Sequence, residues 1–157
     1  MSAESTQPEL PAMGFVQELD ADERSALGAY GQFVDAKDGD TIIAEGQDQD
    51  SLFLVIMGSF HVQTEATGRP VLLGQLKAGD TIGEINIFDP GTASARVVSK
   101  SISQIWKIDR ASLEQFLEAN PEAAARLLVS VATQLSKRLR KTNEKVAMAR
   151  EAMMGSY

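Results

Sequence analysis

Few side chains in this sequence are able to do chemistry, and their types exclude more than they allow. The 157 residues include no cysteine and one histidine, His61. Disulfide and thiolate chemistry are excluded, and a histidine-cluster metal site cannot be assembled. His61 itself reads as an ordinary polar-face strand residue. What remains is a carboxylate directly after a glycine, Gly83-Glu84, a serine at Ser94, and a basic run of Lys137, Arg138, Arg140, Lys141 and Lys145. Taken alone, Glu84 reads as a carboxylate held by backbone amides at a helix start, and Ser94 as a serine serving a turn. The basic run reads as the solvated flank of a long helix, with nucleic-acid or membrane binding as the alternative.

The net charge of −7 is unevenly spread. Residues 1–120 hold 8 basic and 19 acidic side chains, and residues 121–157 hold 7 and 3. An acidic body repels phosphate backbones, so it is a poor nucleic-acid surface. Apolar residues at 43% and charged residues at 24% are ordinary for one globular domain with a core of its own. No apolar run reaches the roughly 18 residues a membrane span needs. The N-terminus lacks the basic start and apolar stretch of a secretory signal. Together with the absent cysteines, this predicts a cytoplasmic chain.

The pattern along the chain predicts the elements that must position these groups. Residues 1–14 read as a flexible arm. A helix follows, with Asp20 as cap, Glu23 closing a capping box, and Leu19, Ala26, Leu27 and Tyr30 as its apolar stripe. From about Gln32 to Asp109, short apolar runs alternate with glycine-bearing turns, as in a sandwich, barrel or jelly roll. Phe60 and Val62 alternate with polar neighbours, predicting one buried face. Ser51 to Met57 is continuously apolar and predicts a strand covered on both sides. GDTI occurs at Gly39–Ile42 and again at Gly79–Ile82, as though two related halves turned the same corner. Asp109 then caps a helix through about Leu117, and Asn120-Pro121 reads as the cap and first residue of another. From there to about Met153 there is no proline or glycine. Ala125, Leu128, Ala132, Leu135, Leu139, Thr142, Val146, Ala149 and Met153 recur in alternating steps of three and four. That is a heptad seam roughly 50 Å long that wants a partner helix. The chain thus divides into an arm (1–14), a mainly β body with flanking helices (15–120) and a long C-terminal helix with its tail (121–157).

The stretch Thr81–Lys100, TIGEINIFDPGTASARVVSK, together with GDTIIAEG, LFLVIMGSFHV and LKAGDTIGE, resembles the cyclic-nucleotide-binding domain family. That family includes catabolite-activator-type regulators, kinase regulatory subunits and nucleotide-gated channels. The resemblance covers roughly residues 15–140 and implies a β-roll, a double-stranded jelly roll, with an N-terminal helix and a long C-terminal one. It implies a phosphate-binding cassette built from Gly83, Glu84, Ile85, Asn86, Ser94 and Ala95. Glu84 would accept from a ribose 2′-hydroxyl, Gly83 would allow close backbone approach, and Ser94 and Ala95 would reach a cyclic phosphate. Asn86 stands where the family often has a small residue. The family's phosphate-pairing arginine falls on Ala93, which removes a guanidinium fork. Arg96 is the nearest replacement, but strand parity puts it on the face opposite position 93.

The resemblance implies a stand-alone regulatory domain that senses cAMP or cGMP and signals through a dimer formed along residues 121–153. The alternative is a degenerate domain with an empty pocket, kept as a dimerisation or protein-docking module. An enzyme of the metal-dependent β-roll kind is not expected, because one histidine cannot supply its ligand set. No catalytic residue, metal or resident cofactor is expected beyond the nucleotide itself. With the chain ending at Tyr157, no helix-turn-helix is expected to follow the long helix.

Overall fold

The structure, a computed structural model, describes residues 8–155, with Ile85 described in its backbone alone. Among the described residues, ten strands and four α-helices follow a 3-10 turn, Gly14–Val16. They are α1 (Ala21–Tyr30), β1 (Gln32–Ala36), β2 (Thr41–Ile43), β3 (Asp48–Gln49), β4 (Ser51–Met57), β5 (Ser59–Thr64), β6 (Val71–Lys77) and β7 (Thr81–Ile82). Then come α2 (Glu84–Phe88), β8 (Gly91–Thr92), β9 (Arg96–Ser99), β10 (Ser103–Asp109), α3 (Arg110–Ala119) and α4 (Pro121–Met154). The strands form two four-stranded antiparallel sheets, ordered β1-β10-β4-β7 and β2-β9-β5-β6, and a short β3-β8 ladder. Long-range pairings such as Phe53↔Ile82 and Phe60↔Ser99 close these sheets into the expected β-roll.

Two cores share the central strands. Leu52 and Leu54 of β4, with Trp106 and Ile108 of β10, face a helical layer made by Leu27, Leu113, Phe116, Leu127 and Val131. The alternate residues Phe53, Val55 and Ile105 face the interior of the roll, where they meet Ile43, Phe60 and Val97. This two-residue period explains the unbroken apolar run: β4 is buried on both faces. Trp106 is fully buried and its indole N–H donates to the Gly28 carbonyl. The chain is already packed at Leu10, which is 2% exposed and whose carbonyl accepts from the Arg24 side chain. The second half of the expected arm therefore belongs to the core, while residues 1–7 lie outside the described residues.

The repeated tetrapeptide does turn the same corner twice. The Asp40 amide bonds the Lys37 carbonyl and the Asp80 amide the Lys77 carbonyl, both at 3.0 Å. Each Asp carboxylate accepts in return from the lysine amide. Gly39 and Gly79 sit at φ of 93° and 92°, where a side chain is disfavoured.

The helix caps are local. Asp20 and Glu23 form the reciprocal box at α1. Asp109 accepts from the Ser112 amide at 2.7 Å and starts α3. Asp109→Ala should cost about 0.5–2 kcal/mol, since it leaves that amide without its side-chain acceptor. Thermal unfolding should then shift downward by about 2–4 °C per kcal/mol for a chain of this size, and an unchanged midpoint would count against the cap. Asn120 departs from expectation. Its side chain donates back to the Phe116 carbonyl and closes α3, and it makes no side-chain cap bond to α4.

Helix α4 has 34 residues and presents two different faces. Ala123, Ala124, Leu127 and Val131 are buried against the body, and Gln134, Leu135 and Arg138 are half-buried. Every described residue from Leu139 onward is exposed. Of the heptad positions, Leu135 alone is drawn into the chain's own core, where it packs at the edge of the helical layer.

Candidate functional site

Between the roll and α4 lies a pocket of about 210 Å³. Its floor is apolar, formed by Ile43, Val62, Leu76, Ile82, Ala93 and Val97. Its polar groups come from three places: Thr81 to Asn86 at the end of β7 and the start of α2, Ser94 before β9, and Arg138 of α4. Five of the six residues singled out in the cassette line this one pocket: Gly83, Glu84, Asn86, Ser94 and Ala95. The sixth, Ile85, lies in α2, and its side chain is outside the described residues.

The turn into α2 depends on Gly83. Its φ is +85°, and a Cβ there would lie 2.3 Å from the Ser51 carbonyl oxygen. The close approach that glycine permits is thus to strand β4, which fixes α2 on the roll. The Gly83 carbonyl then accepts from the amides of Asn86 and Ile87 and starts the helical turn. Asn86 reaches the other way, donating to the Thr92 carbonyl at 3.3 Å and tying α2 to the strand that follows it.

Glu84 is 8% exposed, and its carboxylate oxygen Oε1 accepts from the guanidinium of Arg138. A second guanidinium nitrogen of Arg138 donates to the Thr81 carbonyl at 2.6 Å. One turn earlier on α4, the Gln134 side chain accepts from the Thr81 hydroxyl at 2.9 Å. Helix α4 is therefore fastened to the cassette by two polar side chains in succession. Burial lowers the Arg138 pKa from the ordinary arginine value, and the Asp80 carboxylate acts in the opposite direction. The side chain remains a cation at neutral pH.

Arg138 was not legible as a site residue in the basic run, where its neighbours Lys137, Arg140 and Lys141 are exposed. The signal that could have found it is its spacing: Leu127, Val131, Gln134 and Arg138 step by four, three and four, so the body-facing stripe runs on into polar residues.

Ala93 stands in the pocket wall, 5% exposed. Its amide donates to the Gln47 carbonyl and its carbonyl accepts from the Gly46 amide, so its backbone is locked beside the β3-β8 ladder. Arg96 turns away from the pocket, opposite Val97 on β9. Its guanidinium donates to the Thr41 hydroxyl at 3.0 and 3.3 Å, facing a separate hollow with Glu45 and Thr64. Parity does not extend to position 93, because residues 93–95 lie in a bend before the strand. Ser94, which parity would place with Arg96, lines the pocket beside Ala93 and Ala95. Among the described residues lining the pocket, Arg138 is the only cation.

The profile of a family described as "Cyclic nucleotide-binding domain" matches residues 33–120, more than half of the chain. A CRP-like cAMP-activated global transcriptional regulator of Mycobacterium tuberculosis is 32% identical over 139 residues, covering 88% of this chain and 60% of that protein. The chain thus spans less than two thirds of that relative's length. Among solved structures, the N-terminal domain of a transcriptional regulator from Streptomyces coelicolor A3(2) is 31% identical. It superposes with a TM-score of 0.69 over 84% of this chain and 90% of its own. The catabolite activator protein of Thermus thermophilus, 22% identical, shares the fold with a TM-score of 0.75 over 87% of this chain and 62% of its own. With the profile match covering the strands of both sheets and every residue lining the pocket except Arg138, the chain belongs to the cyclic nucleotide-binding domain family.

Proposed function

We propose that this chain is a regulatory module that takes a cyclic nucleotide, cAMP or cGMP, into the pocket and reports its occupancy through α4. The observation that carries the reading is the bond from Arg138 to Glu84. Any occupant that touches Glu84 also meets the helix bearing the exposed heptad seam, so binding and signalling share one contact. The cAMP-activated relative supports the nucleotide class. The exposed seam supports a parallel dimer through residues 121–153, with a downstream protein partner reading its geometry. A cytoplasmic location and regulation without catalysis belong to the same reading. Among the described residues no helix is long and apolar enough to cross a membrane.

A second reading keeps the fold as a dimerisation or docking module without nucleotide. It is favoured by Ala93, an apolar side chain where the family pairs the phosphate, and by a Glu84 already satisfied without ligand. Calorimetric titration with cAMP, cGMP and cyclic dinucleotides separates the two. Binding of any of them supports the sensor, and no heat from any supports the docking module.

Glu84→Ala tests the ribose contact. Glu84 Oε1 is committed to Arg138, which leaves Oε2 to accept from a 2′-hydroxyl. The variant should bind cAMP about 5- to 30-fold more weakly, corresponding to roughly 1–2 kcal/mol. The 2′-deoxy analogue should be much less affected. Equal losses for both ligands would make Glu84 a positioning group for α4 instead of a ribose acceptor.

A further inference from the structure

We infer that Arg138, delivered by α4, is the ligand's anion partner in place of the arginine missing at position 93, so that anion binding and docking of α4 residues 134–138 are one equilibrium. This rests on the reading of the pocket as a cyclic-nucleotide site. The floor is apolar and offers an anion nothing, while Glu84 repels one. Arg96, the nearest cation in sequence, is turned onto Thr41. Ser94 adds a neutral hydroxyl, so the Arg138 guanidinium is the one charged donor among the described residues lining the pocket. It has five N–H donors, and two of its bonds go to Glu84 and the Thr81 carbonyl. The remaining donors suffice for a phosphate oxygen, so the fork can bridge Glu84 and the ligand at once. A cation held on β9 would bind the phosphate wherever α4 lay. A cation held on α4 binds it only when α4 is seated. By linkage, the phosphate then holds α4 as firmly as α4 holds the phosphate. Gln134 is a positioning residue in this scheme, since it seats the helix through Thr81 but does not line the pocket.

The test compares cAMP with adenosine, which lacks the anion, in the intact chain and in Arg138→Gln, Glu84→Gln and the double variant, each checked by thermal melting. The parent should prefer cAMP, and Arg138→Gln should cut that preference about 10- to 150-fold, the range of a charge-assisted bond. The same cut should appear when Glu84 is already Gln. If in that background removing Arg138 leaves the preference unchanged, Arg138 only neutralises Glu84 and the inference is overturned while the sensor stands. If the parent binds neither cAMP nor adenosine, cGMP is paired with guanosine in the same test, and if no cyclic nucleotide binds, the sensor reading itself falls and takes the inference with it. Gln134→Ala supplies a second readout. It should weaken cAMP, speed amide exchange at residues 134–138 without ligand, and lose that excess exchange at saturating cAMP. Fast exchange that cAMP does not slow would overturn the coupling.

Discussion

Leu139→Glu combined with Val146→Glu should leave the chain monomeric at concentrations on the order of tens of micromolar, where the parent should be a two-fold dimer. Leu139 is 62% exposed and Val146 56%, and both lie on the helix beyond its last contact with the roll. Most helical stability in proteins comes from packing of an apolar face, and from Leu139 onward this helix has none against the body. A second copy bringing its own seam would supply that face. Two glutamates on each chain would put four carboxylates into one interface, each desolvated next to a like charge. Neither side chain belongs to the chain's own cores, so the melting of the roll should change little. Leu135 would be a poorer probe despite its place in the heptad, because it packs against the body and its loss would damage the fold directly. Sedimentation or light scattering gives the mass. A parent that is already monomeric would remove the dimer from the proposed function and leave the seam to another partner.

The seam also marks how far the sequence could be read. The continuous apolar run at Ser51–Met57 and the three-four steps from Ala125 to Met153 were legible from backbone geometry, and the structure has a strand buried on both faces at the first and a helix along the second. The Asp20 box and the Asp109 cap were legible because each uses groups three residues apart. Asn120 was misread because an asparagine between two helices has two orphan ends within reach, and composition does not say which it serves. Leu10 was lost in a polar stretch because one apolar residue has no period. In the cassette, Gly83, Glu84 and Ser94 were legible through resemblance, and the structure brings them to one pocket. Arg138 lies 54 residues from Glu84, a juxtaposition that only the docking of α4 on the roll creates.

Ala93→Arg should raise affinity for cAMP or cGMP about 10- to 150-fold over the parent, the equivalent of roughly 1.5–3 kcal/mol. The argument is a charge count in a partly desolvated pocket. The parent pocket sets one cation, Arg138, against Glu84, and a cyclic phosphate adds a second anion to that single guanidinium. A guanidinium from position 93 would restore balance. Ala93 lines the pocket from the fixed backbone beside β3-β8, so the new side chain would extend into existing space while the strands keep their places. Without ligand the same change should be unfavourable, since it brings a second cation beside Arg138 above an apolar floor. The variant should therefore melt below the parent when empty and gain more from saturating nucleotide, a crossing that a general loosening of the fold would not produce. Adenosine should not share the gain, and added salt should reduce it modestly. Arg96→Ala is the control and should leave affinity nearly unchanged, because that side chain faces Thr41 on the other side of β9. Calorimetry and thermal melting on the three proteins decide the matter. If Ala93→Arg folds and still shows no binding at about 1 mM nucleotide, corresponding to roughly −4 kcal/mol, charge is not what the pocket lacks. The shape of the apolar floor would then exclude the nucleotide, and the docking module would be the better account of why this fold is kept.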